Sequence, residues 1–482
     1  MPPTAFRHRL VALVLGELVK KACIAAGFVW LARMVAPTVY GQVEWSLSVM
    51  YLFSLAADAG LTTWATAQVA AHPESAGALV GGVARLRLAM AIPAYVVLLV
   101  MAAAYGGAVG IALAVFGLGL FLTPFYLQYL YNGLQQVRWS AIGNAARGAM
   151  FAALVIAFAR PDSTPLLAAI AETAGAAVMV AIYIAAMRTV LHQPVRYDEE
   201  VFGVTALLRQ SWTVCASELT WGIHWYAGLV LLGVMATSVD AAWQSASLRL
   251  ILAVHTGVWM YLSVLLPNLA RLLATDTSGW SRLVERSLRV SGWASLGMAV
   301  VGTLGASVLI DAIFGSRFAP SAAIFRVMIW VIPIAWASGH LRYSLIAAKQ
   351  QRREFQASLV GAGSTIAFTL LLIPRLGGLG AGLALVGGTV ANAIAAWVLA
   401  RRTLPDVALV RSLAMPALWC AIAMALGVAL SPVIGPIEAT AAAAGLFGTA
   451  ALIAERETAK SLLRSFGGAA LMKASSNASA RT

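Results

Sequence analysis

Long apolar segments separated by short polar ones dominate the pattern along this chain of 482 residues. Fourteen such segments can be recognised, and most are close to the length of about 20 residues that an α-helix needs to cross a bilayer. They occupy approximately residues 11–35, 43–69, 80–104, 107–134, 137–159, 164–187, 212–236, 241–270, 287–313, 320–347, 355–373, 378–400, 412–430 and 437–454. The apolar runs are continuous rather than alternating every second residue, which favours helices over a membrane β-barrel. The pattern therefore predicts an all-α polytopic membrane protein with about fourteen transmembrane helices.

Basic residues fall alternately in dense and nearly empty loops between these segments. The side of the membrane that holds the N-terminus collects 23 of the 33 Lys and Arg residues, and the opposite side receives only Arg33, Arg160, Arg317 and Arg375. By the positive-inside rule, both termini are expected in the cytoplasm. The net charge of +14 is thus mainly a topology signal. Because the basic residues are spread over many loops instead of one face, we expect no nucleic-acid partner.

The chain divides near its middle at a polar connection. We expect an N-lobe of six helices at 1–187, a cytoplasmic linker at 188–211, a C-lobe of six helices at 212–402, two further helices at 403–456 and a cytoplasmic tail at 457–482. A repeat supports the two lobes, since GLQQVRWSAIGNAARGAMF from Gly133 aligns with AKQQRREFQASLVGAGSTIAF from Ala348. Six is an even number, so the lobes would be parallel repeats, an arrangement that in secondary transporters encloses a site near mid-membrane.

Several ionisable side chains lie inside the apolar segments, where a charge is costly unless it faces a bundle interior or a wet cavity. The predicted substrate-binding set of a cationic cavity is Lys20, Lys21, Arg147 and Arg249. Possible coupling or cavity residues are Glu17, Asp58, Glu172, Glu218, His224 and His255. Across the segments six bases oppose four acids, and this excess favours an anionic cargo such as a phosphate or diphosphate. Purely structural pairing is the alternative; for Asp58 the partner would be Lys20 or Lys21.

Motifs of enzymes and cofactor sites are missing from the sequence. It contains no Walker loop, no His-Glu-x-x-His and no Gly-x-Ser-x-Gly elbow. Its three cysteines stand alone in apolar segments, without the spacing of metal ligands or a disulfide framework. We therefore expect a transporter and not an enzyme, with no metal and no cofactor, driven by H⁺ or Na⁺ coupling, the membrane potential or removal of product on the far side.

The segment LARMVAPTVYGQVEWSLSVMYLFSLAADAGLTTWATAQVA, which begins at Leu31, carries a family resemblance. It resembles the opening signature of the polysaccharide-export branch of the multidrug/oligosaccharidyl-lipid/polysaccharide (MOP) flippase superfamily. The matching positions are Arg33, Pro37, Tyr40, Gly41, Ser46, Asp58, Gly60 and Leu61, and Ala59 departs from the usual Leu. Weaker matches begin at Leu265, Ile313 and Leu371. The resemblance implies a flippase of the O-antigen or exopolysaccharide type in the bacterial inner membrane. Its substrate would be a polyprenyl-diphosphate-linked oligosaccharide, and polysaccharide polymerase machinery would be a partner.

Three other functions remain as alternatives. A lipid II flippase would share the cationic cavity, but that branch is expected to carry several arginines in its first two spans. A MATE-like small-molecule exporter would need an acidic cavity, which the excess of bases disfavours. A membrane glycan polymerase or ligase would need a sizeable outward loop, whereas the outward loops here have about ten residues or fewer.

Overall fold

The apolar segments fold into helices throughout the part of the chain that the structure describes. The structure is a computed structural model, and it describes residues 21–191, 194–196 and 202–456. Within these ranges there is no β-strand. The helices in chain order are α1 (described over 21–34), α2 (Pro37–Asp58), α3 (Leu61–Ala71), α4 (Ala76–Tyr105), α5 (Gly107–Gly117), α6 (Gln128–Gly133), α7 (Val137–Phe158), α8 (Pro165–Val190), α9 (Val204–Met235), α10 (Ser238–Thr275), α11 (Thr277–Leu304), α12 (Ala306–Phe314), α13 (Ser321–Met328), α14 (Val331–Ala347), α15 (Gln351–Ala400), α16 (Leu409–Ile434) and α17 (Pro436–Ala454). Short 3₁₀ helices occur at Pro73–Ser75, Leu118–Phe125 and Ser316–Phe318.

The lengths and apolarity of these helices suit a bilayer. Among the described residues, nine helical stretches are long and apolar enough to cross a membrane, and the pair α11–α12, bent by 74°, makes a tenth. The helix α15 is really two spans, because Gly377 has φ 52° and ψ −130° and interrupts it. The remaining predicted segments coincide with α1, with α2 and α3, and with α9. The prediction of an all-α polytopic membrane protein with about fourteen helices is confirmed.

The predicted span at 43–69 corresponds to two helices, α2 and α3, with an earlier start and a break between them. The helix α2 begins at Pro37, where the missing N–H and fixed φ of proline suit a first helical turn, so most of the outside loop expected at 36–42 is helical. The apolar run then breaks after Asp58, where Ala59 (φ 52°) and Gly60 (φ 71°) are both left-handed. A Cβ at Gly60 would collide with the backbone nitrogen of Cys215 in α9, so the break also allows close helix packing.

Contacts divide the chain into two units. Unit 1 contains Met1–Arg249, Ile310–Ile324 and Phe355–Asn392, and unit 2 contains Leu250–Leu309, Phe325–Glu354 and Ala393–Thr482. Unit 1 thus combines stretches from both halves of the sequence. The two six-helix lobes predicted from the repeat stay a prediction, as does the linker at 188–211, part of which belongs to α8 and α9.

Unit 2 has its own apolar core, built where α16 and α17 pack on α11. The rings of Trp293 and Phe447 lie 5.1 Å apart, and the buried Cys420 packs into the same cluster. Small residues permit this approach, since Gly427 lies against Leu304 and Ala443. Cys420 therefore acts as a small hydrophobic packing residue.

Candidate functional site

The candidate site lies in unit 1 and is framed by α2 and α9, which pack side by side in antiparallel directions. The indole N–H of Trp45 donates to the carbonyl of Val230 at 3.0 Å. Further along α2, the rings of Tyr51 and Tyr226 lie 4.7 Å apart. Beyond the break, the hydroxyl of Thr63 donates to the carboxylate of Glu218 at 2.8 Å. The frame therefore joins a helix of the predicted N-lobe to the first helix of the predicted C-lobe.

A buried ion pair lies at the break between α2 and α3 and bonds to residues on both sides of it. Arg87 of α4 donates to the Asp58 carboxylate at 2.5 Å and to the hydroxyl of Thr62 at 2.8 Å. The same carboxylate accepts the amide of Thr62 at 3.1 Å, across the two left-handed residues. The other terminal nitrogen of Arg87 donates to the carbonyls of Thr123 and Tyr126 at 3.1 and 3.0 Å. The Arg87 side chain is 0% exposed, and its two terminal nitrogens are both used in bonds to the protein.

The partner of Asp58 corrects one sequence-based interpretation. If Asp58 were paired structurally, Lys20 or Lys21 was the expected partner, and the structure places Arg87 there instead. Arg87 was also counted with the cytoplasmic loop residues, because it lies only seven residues into its apolar segment. Arg85 and Arg87 are two positions apart, which puts them on nearly opposite faces of α4, and only Arg85 is exposed.

A second ion pair lies next to the first. Arg147 of α7 pairs with Glu172 of α8 through two nitrogens, one of them at 3.2 Å. The Arg147 guanidinium also faces the ring of Tyr126 at 5.9 Å, and the carbonyl of Tyr126 is bound by Arg87. In contrast to Arg87, the Arg147 side chain is 29% exposed. The Arg147 side chain is thus less enclosed than that of Arg87.

A third ion pair joins α2 to α10. Arg249 pairs with Glu44, and the guanidinium of Arg249 lies 3.3 Å from the ring centre of Phe28. That ring stacks on Phe151 at 4.7 Å. Phe151 is one helical turn after Arg147 and so shares its face of α7. The two arginines, 29% and 27% exposed, thus flank a stacked aromatic pair, each held by a carboxylate.

The other predicted site residues lie in different surroundings. Glu218 accepts the bond from Thr63, as given above, and His224 lies between the hydroxyls of Thr365 and Thr389. His255 is half-buried and belongs to unit 2. Lys21 is exposed at the start of the described part of α1, whereas Glu17 and Lys20 lie outside the described residues. Arg147 and Arg249 are thus linked only indirectly, through the stacked rings of Phe28 and Phe151, and His255 belongs to the other unit.

Sequence reasoning missed two charged residues of the site, Glu44 and Arg87. Glu44 is 4% exposed and neutralises Arg249, yet it follows directly on Val43, where the apolar segment was taken to begin. The signal that could have identified it is Pro37, because a helix that starts there buries Glu44 two turns inside. With Glu44 and Arg87 included, carboxylates neutralise Arg87, Arg147 and Arg249 in the structure.

The chemistry that these arginines could supply is binding of an anion. Each of these arginines has a partly exposed side chain, and a guanidinium can bind a phosphate group with two parallel hydrogen bonds in place of a carboxylate. Within the described ranges, no group of three or more His, Cys, Asp or Glu residues is placed to hold a metal ion.

Comparisons with solved structures show the fold. The lipid II flippase MurJ, in an inward closed conformation, superposes with a TM-score of 0.75 at 10% identity, covering 93% of this chain and 99% of that one. An inward-facing multidrug-resistance MATE transporter of the MOP superfamily gives a TM-score of 0.64 at 13% identity, covering 82% and 97%. A eukaryotic MATE transporter gives 0.53 at 14% identity, covering 82% and 98%. The chain therefore has the helical fold that these transporters share.

Comparison of sequences identifies the family. None of the curated protein sequences matches the chain. The profile of the family described as polysaccharide biosynthesis protein matches residues 9–273, which is more than half of the chain. That range includes the frame helices α2 and α9 and all three ion pairs. The chain is a multi-pass membrane protein of the polysaccharide biosynthesis protein family, with the fold of the MOP transporters.

Proposed function

We propose that the protein is a flippase that moves a polyprenyl-diphosphate-linked oligosaccharide across the bacterial inner membrane by alternating access. The product would feed assembly of an O-antigen, a capsule or an exopolysaccharide, with polymerase machinery on the outer side. Both termini would lie in the cytoplasm, as the distribution of basic residues predicts. The family match and the transporter fold support a role in transport without a reaction step.

The observation that carries the proposal is the location, exposure and pairing of Arg147 and Arg249. Each is inside an apolar helix, partly accessible and paired with a carboxylate on another helix. An accessible guanidinium that faced lipid would be costly, so the accessible part is best accommodated in a water-filled space. We propose that the diphosphate of the cargo replaces Glu172 and Glu44 as the partner of these arginines. Lys20 and Lys21 would add positive charge, with Lys21 two turns before Phe28 on the same face of α1.

The energy source would be an ion gradient or the membrane potential. Of the coupling carboxylates predicted from the sequence, Asp58 and Glu172 are held by arginines, whereas Glu218 is held by the hydroxyl of Thr63. A carboxylate that binds a hydroxyl can take up H⁺ or Na⁺ without breaking an ion pair. Glu218 is therefore the coupling carboxylate that we propose.

Neutral double variants test the role of the arginines. Arg147→Gln with Glu172→Gln, and Arg249→Gln with Glu44→Gln, remove each ion pair without leaving an unpaired charge. Loss of charge-assisted bonds to a diphosphate, about 1.5–3 kcal/mol, should lower transport by roughly 10- to 100-fold. The assay is movement of a fluorescent polyprenyl-diphosphate oligosaccharide in proteoliposomes, followed by its accessibility to an impermeant glycosidase.

The ion pair of Arg342 with Glu354 provides a matched control. Its side chains are 32% and 14% exposed, close to the 29% and 20% of Arg147 and Glu172, but it lies in unit 2 near a helix end. Arg342→Gln with Glu354→Gln should transport normally, and so should Arg326→Gln. Normal transport by both site variants would contradict the proposal and leave structural pairing as the role of the arginines. Lipid II in the same assay tests the alternative cargo.

A further inference from the structure

His224, in the middle of α9, contacts a hydroxyl group on each side of its ring. Its Nδ1 lies 2.9 Å from the hydroxyl oxygen of Thr365, in the first half of α15. Its Nε2 lies 3.2 Å from the hydroxyl oxygen of Thr389, in the second half of α15. All three residues belong to unit 1. The ring therefore joins three helical segments.

Both threonine hydroxyls already donate their hydrogen elsewhere. Thr365 donates to the carbonyl of Gly361 at 3.0 Å, and Thr389 donates to the carbonyl of Leu385 at 2.7 Å. A hydroxyl has one hydrogen, so a hydroxyl that donates to its carbonyl turns a lone pair toward the imidazole. With both hydroxyl hydrogens on these carbonyls, both ring nitrogens carry hydrogen. A neutral imidazole has only one N–H, so the contacts fit the imidazolium form.

His340 in unit 2 has contacts of the opposite kind. Its Nδ1 lies 2.7 Å from the carbonyl of Trp336 and must donate to it. Its Nε2 lies 2.7 Å from the hydroxyl oxygen of Ser287, which itself lies 2.5 Å from the hydroxyl of Tyr261. Tyr261 can donate to Ser287, and Ser287 can donate to Nε2. A neutral ring with its hydrogen on Nδ1 therefore fits all of these contacts. The contacts of the half-buried His224 and of the buried His340 thus fit different numbers of ring hydrogens.

We propose that His224 is a proton-binding site of the transport cycle, held as an imidazolium by the hydroxyls of Thr365 and Thr389. The role in the transport cycle rests on the proposed function, whereas the protonation of the ring rests on its contacts alone. The ligand is a proton, and the site is separate from the arginines proposed for the diphosphate.

The groups around the ring are compatible with exchange of this proton. The two stretches of α15 that pack against it, 356–374 and 376–400, contain no Asp, Glu, Lys, Arg or His in their sequence. On its own helix, Glu218 lies six residues earlier and Tyr226 two residues later, and Tyr51 of α2 contacts Tyr226. Trp225 meets the imidazole edge-on at 5.8 Å. Glu218, about 9 Å away along α9, is the nearest acidic residue in that helix and could exchange protons with the ring through water.

Loss of the proton would be linked to helix packing. A neutral ring has one nitrogen without hydrogen, and the threonine facing it must turn its hydroxyl from the backbone to the ring or lose the contact. Separation of α9 from α15 would remove both acceptors at once and favour release of the proton. Protonation of His224 therefore stabilises the conformation in which α9 packs against α15.

Nitrogen-15 NMR of the histidine-labelled full chain in nanodiscs tests the protonation state directly. His224→Gln and His340→Gln assign the two signals by their disappearance. At pH 7 we expect His224 to show two protonated nitrogens, and His340 to show the neutral form with hydrogen on Nδ1. In Thr365→Val or Thr389→Val the imidazolium fraction of His224 should fall. Thr369→Val, a buried position one turn after Thr365 in α15, should leave it unchanged. A neutral His224 at pH 7 would overturn the proposal.

Transport in proteoliposomes tests the link to the cycle. A pH gradient should change the wild-type rate, and this response should be lost in His224→Gln and retained in His340→Gln. A response that persists in His224→Gln would overturn the role in the cycle even if the ring is charged. Absence of transport by the wild type would instead contradict the proposed function, while the NMR spectrum still decides whether His224 holds the proton.

Discussion

Removal of either partner from the Asp58–Arg87 pair should destabilise the fold more than removal of both. The Arg87 side chain is 0% exposed and that of Asp58 17%, so neither charge can turn to water when its partner is lost. Breaking a buried ion pair in this way costs about 3–5 kcal/mol. We expect Asp58→Asn to cost about 3 kcal/mol, at the lower end because the asparagine oxygen can still accept the amide of Thr62.

The cost of Arg87→Gln should be at least as large. Besides leaving Asp58 unpaired, it removes the donors to the carbonyls of Thr123 and Tyr126, each worth about 1 kcal/mol. In the double variant no buried charge remains, so mainly the carbonyl bonds are lost. We therefore expect the double variant to cost about 2 kcal/mol, which is less than either single variant and well below their sum.

The measurement is unfolding of the protein in mixed micelles with increasing SDS, followed by the fluorescence of its 15 Trp residues. Asp240→Asn is the matched control, because this carboxylate also accepts a backbone amide, that of Gly378 at 3.2 Å, and a hydroxyl, that of Thr237 at 2.6 Å. It should cost less than about 1 kcal/mol. Two outcomes would refute the interpretation that this ion pair stabilises the fold. One is a double-variant cost equal to the sum of the single-variant costs, and the other is a wild-type unfolding free energy in Asp58→Asn.

Two further predictions concern the ends of the spans. Cysteines placed at the exposed Thr38 and Ser316 should react with an impermeant maleimide in whole cells, and one at the exposed Ser278 should react only after the cells are opened; the reverse pattern would contradict the predicted topology. Asp276 caps α11, and bonds from the Gly279 amide and the Ser278 hydroxyl hold the pKa of Asp276 below its usual value. Because this pKa is lowered by folding, the extra stability of the wild type over Asp276→Ala should be constant from neutral pH down to about the ordinary value of 3.8 and lost only below it. A stability difference that grows on acidification would show that the cap does not act through the ionised carboxylate.

The helices were predictable from sequence because hydropathy is a local property. Each span needs a continuous apolar run, and a run can be read without knowledge of its neighbours. The break at Ala59 and Gly60 was not predicted, since Ala59 adopts its left-handed conformation only in the context of packing against α9. Gly377 was easier to recognise, because it falls in the polar gap between two predicted segments.

The residue types of the candidate site could be predicted from the sequence, but its ion pairs could not. Arg147 and Arg249 could be identified because an arginine deep in an apolar run is unusual whatever its surroundings. Their partners depend on which helices touch. Glu172 is 25 residues from Arg147 in sequence and Glu44 is 205 residues from Arg249, so no local pattern connects them. Counting Glu44 and Arg87 as well gives seven bases and five acids, so the excess of two bases inferred from sequence is unchanged.

The carboxylate partners also bear on how transport could be driven. If a diphosphate takes over the arginines, Glu172 and Glu44 lose their counter-ions, and the loaded protein either carries extra negative charge or binds cations to offset it. Outward movement of negative charge is favoured by an inside-negative potential, by about 2.3 kcal/mol per charge for each 100 mV. If the freed carboxylates took up protons from the cytoplasm, part of the driving force from the membrane potential would be cancelled. In a second order of events, a proton is taken up from the outside after the cargo has left, and its inward movement adds to the driving force. A proton site on His224, apart from the arginines, fits the second order of events, because it can be loaded without competing with the diphosphate for Arg147 or Arg249.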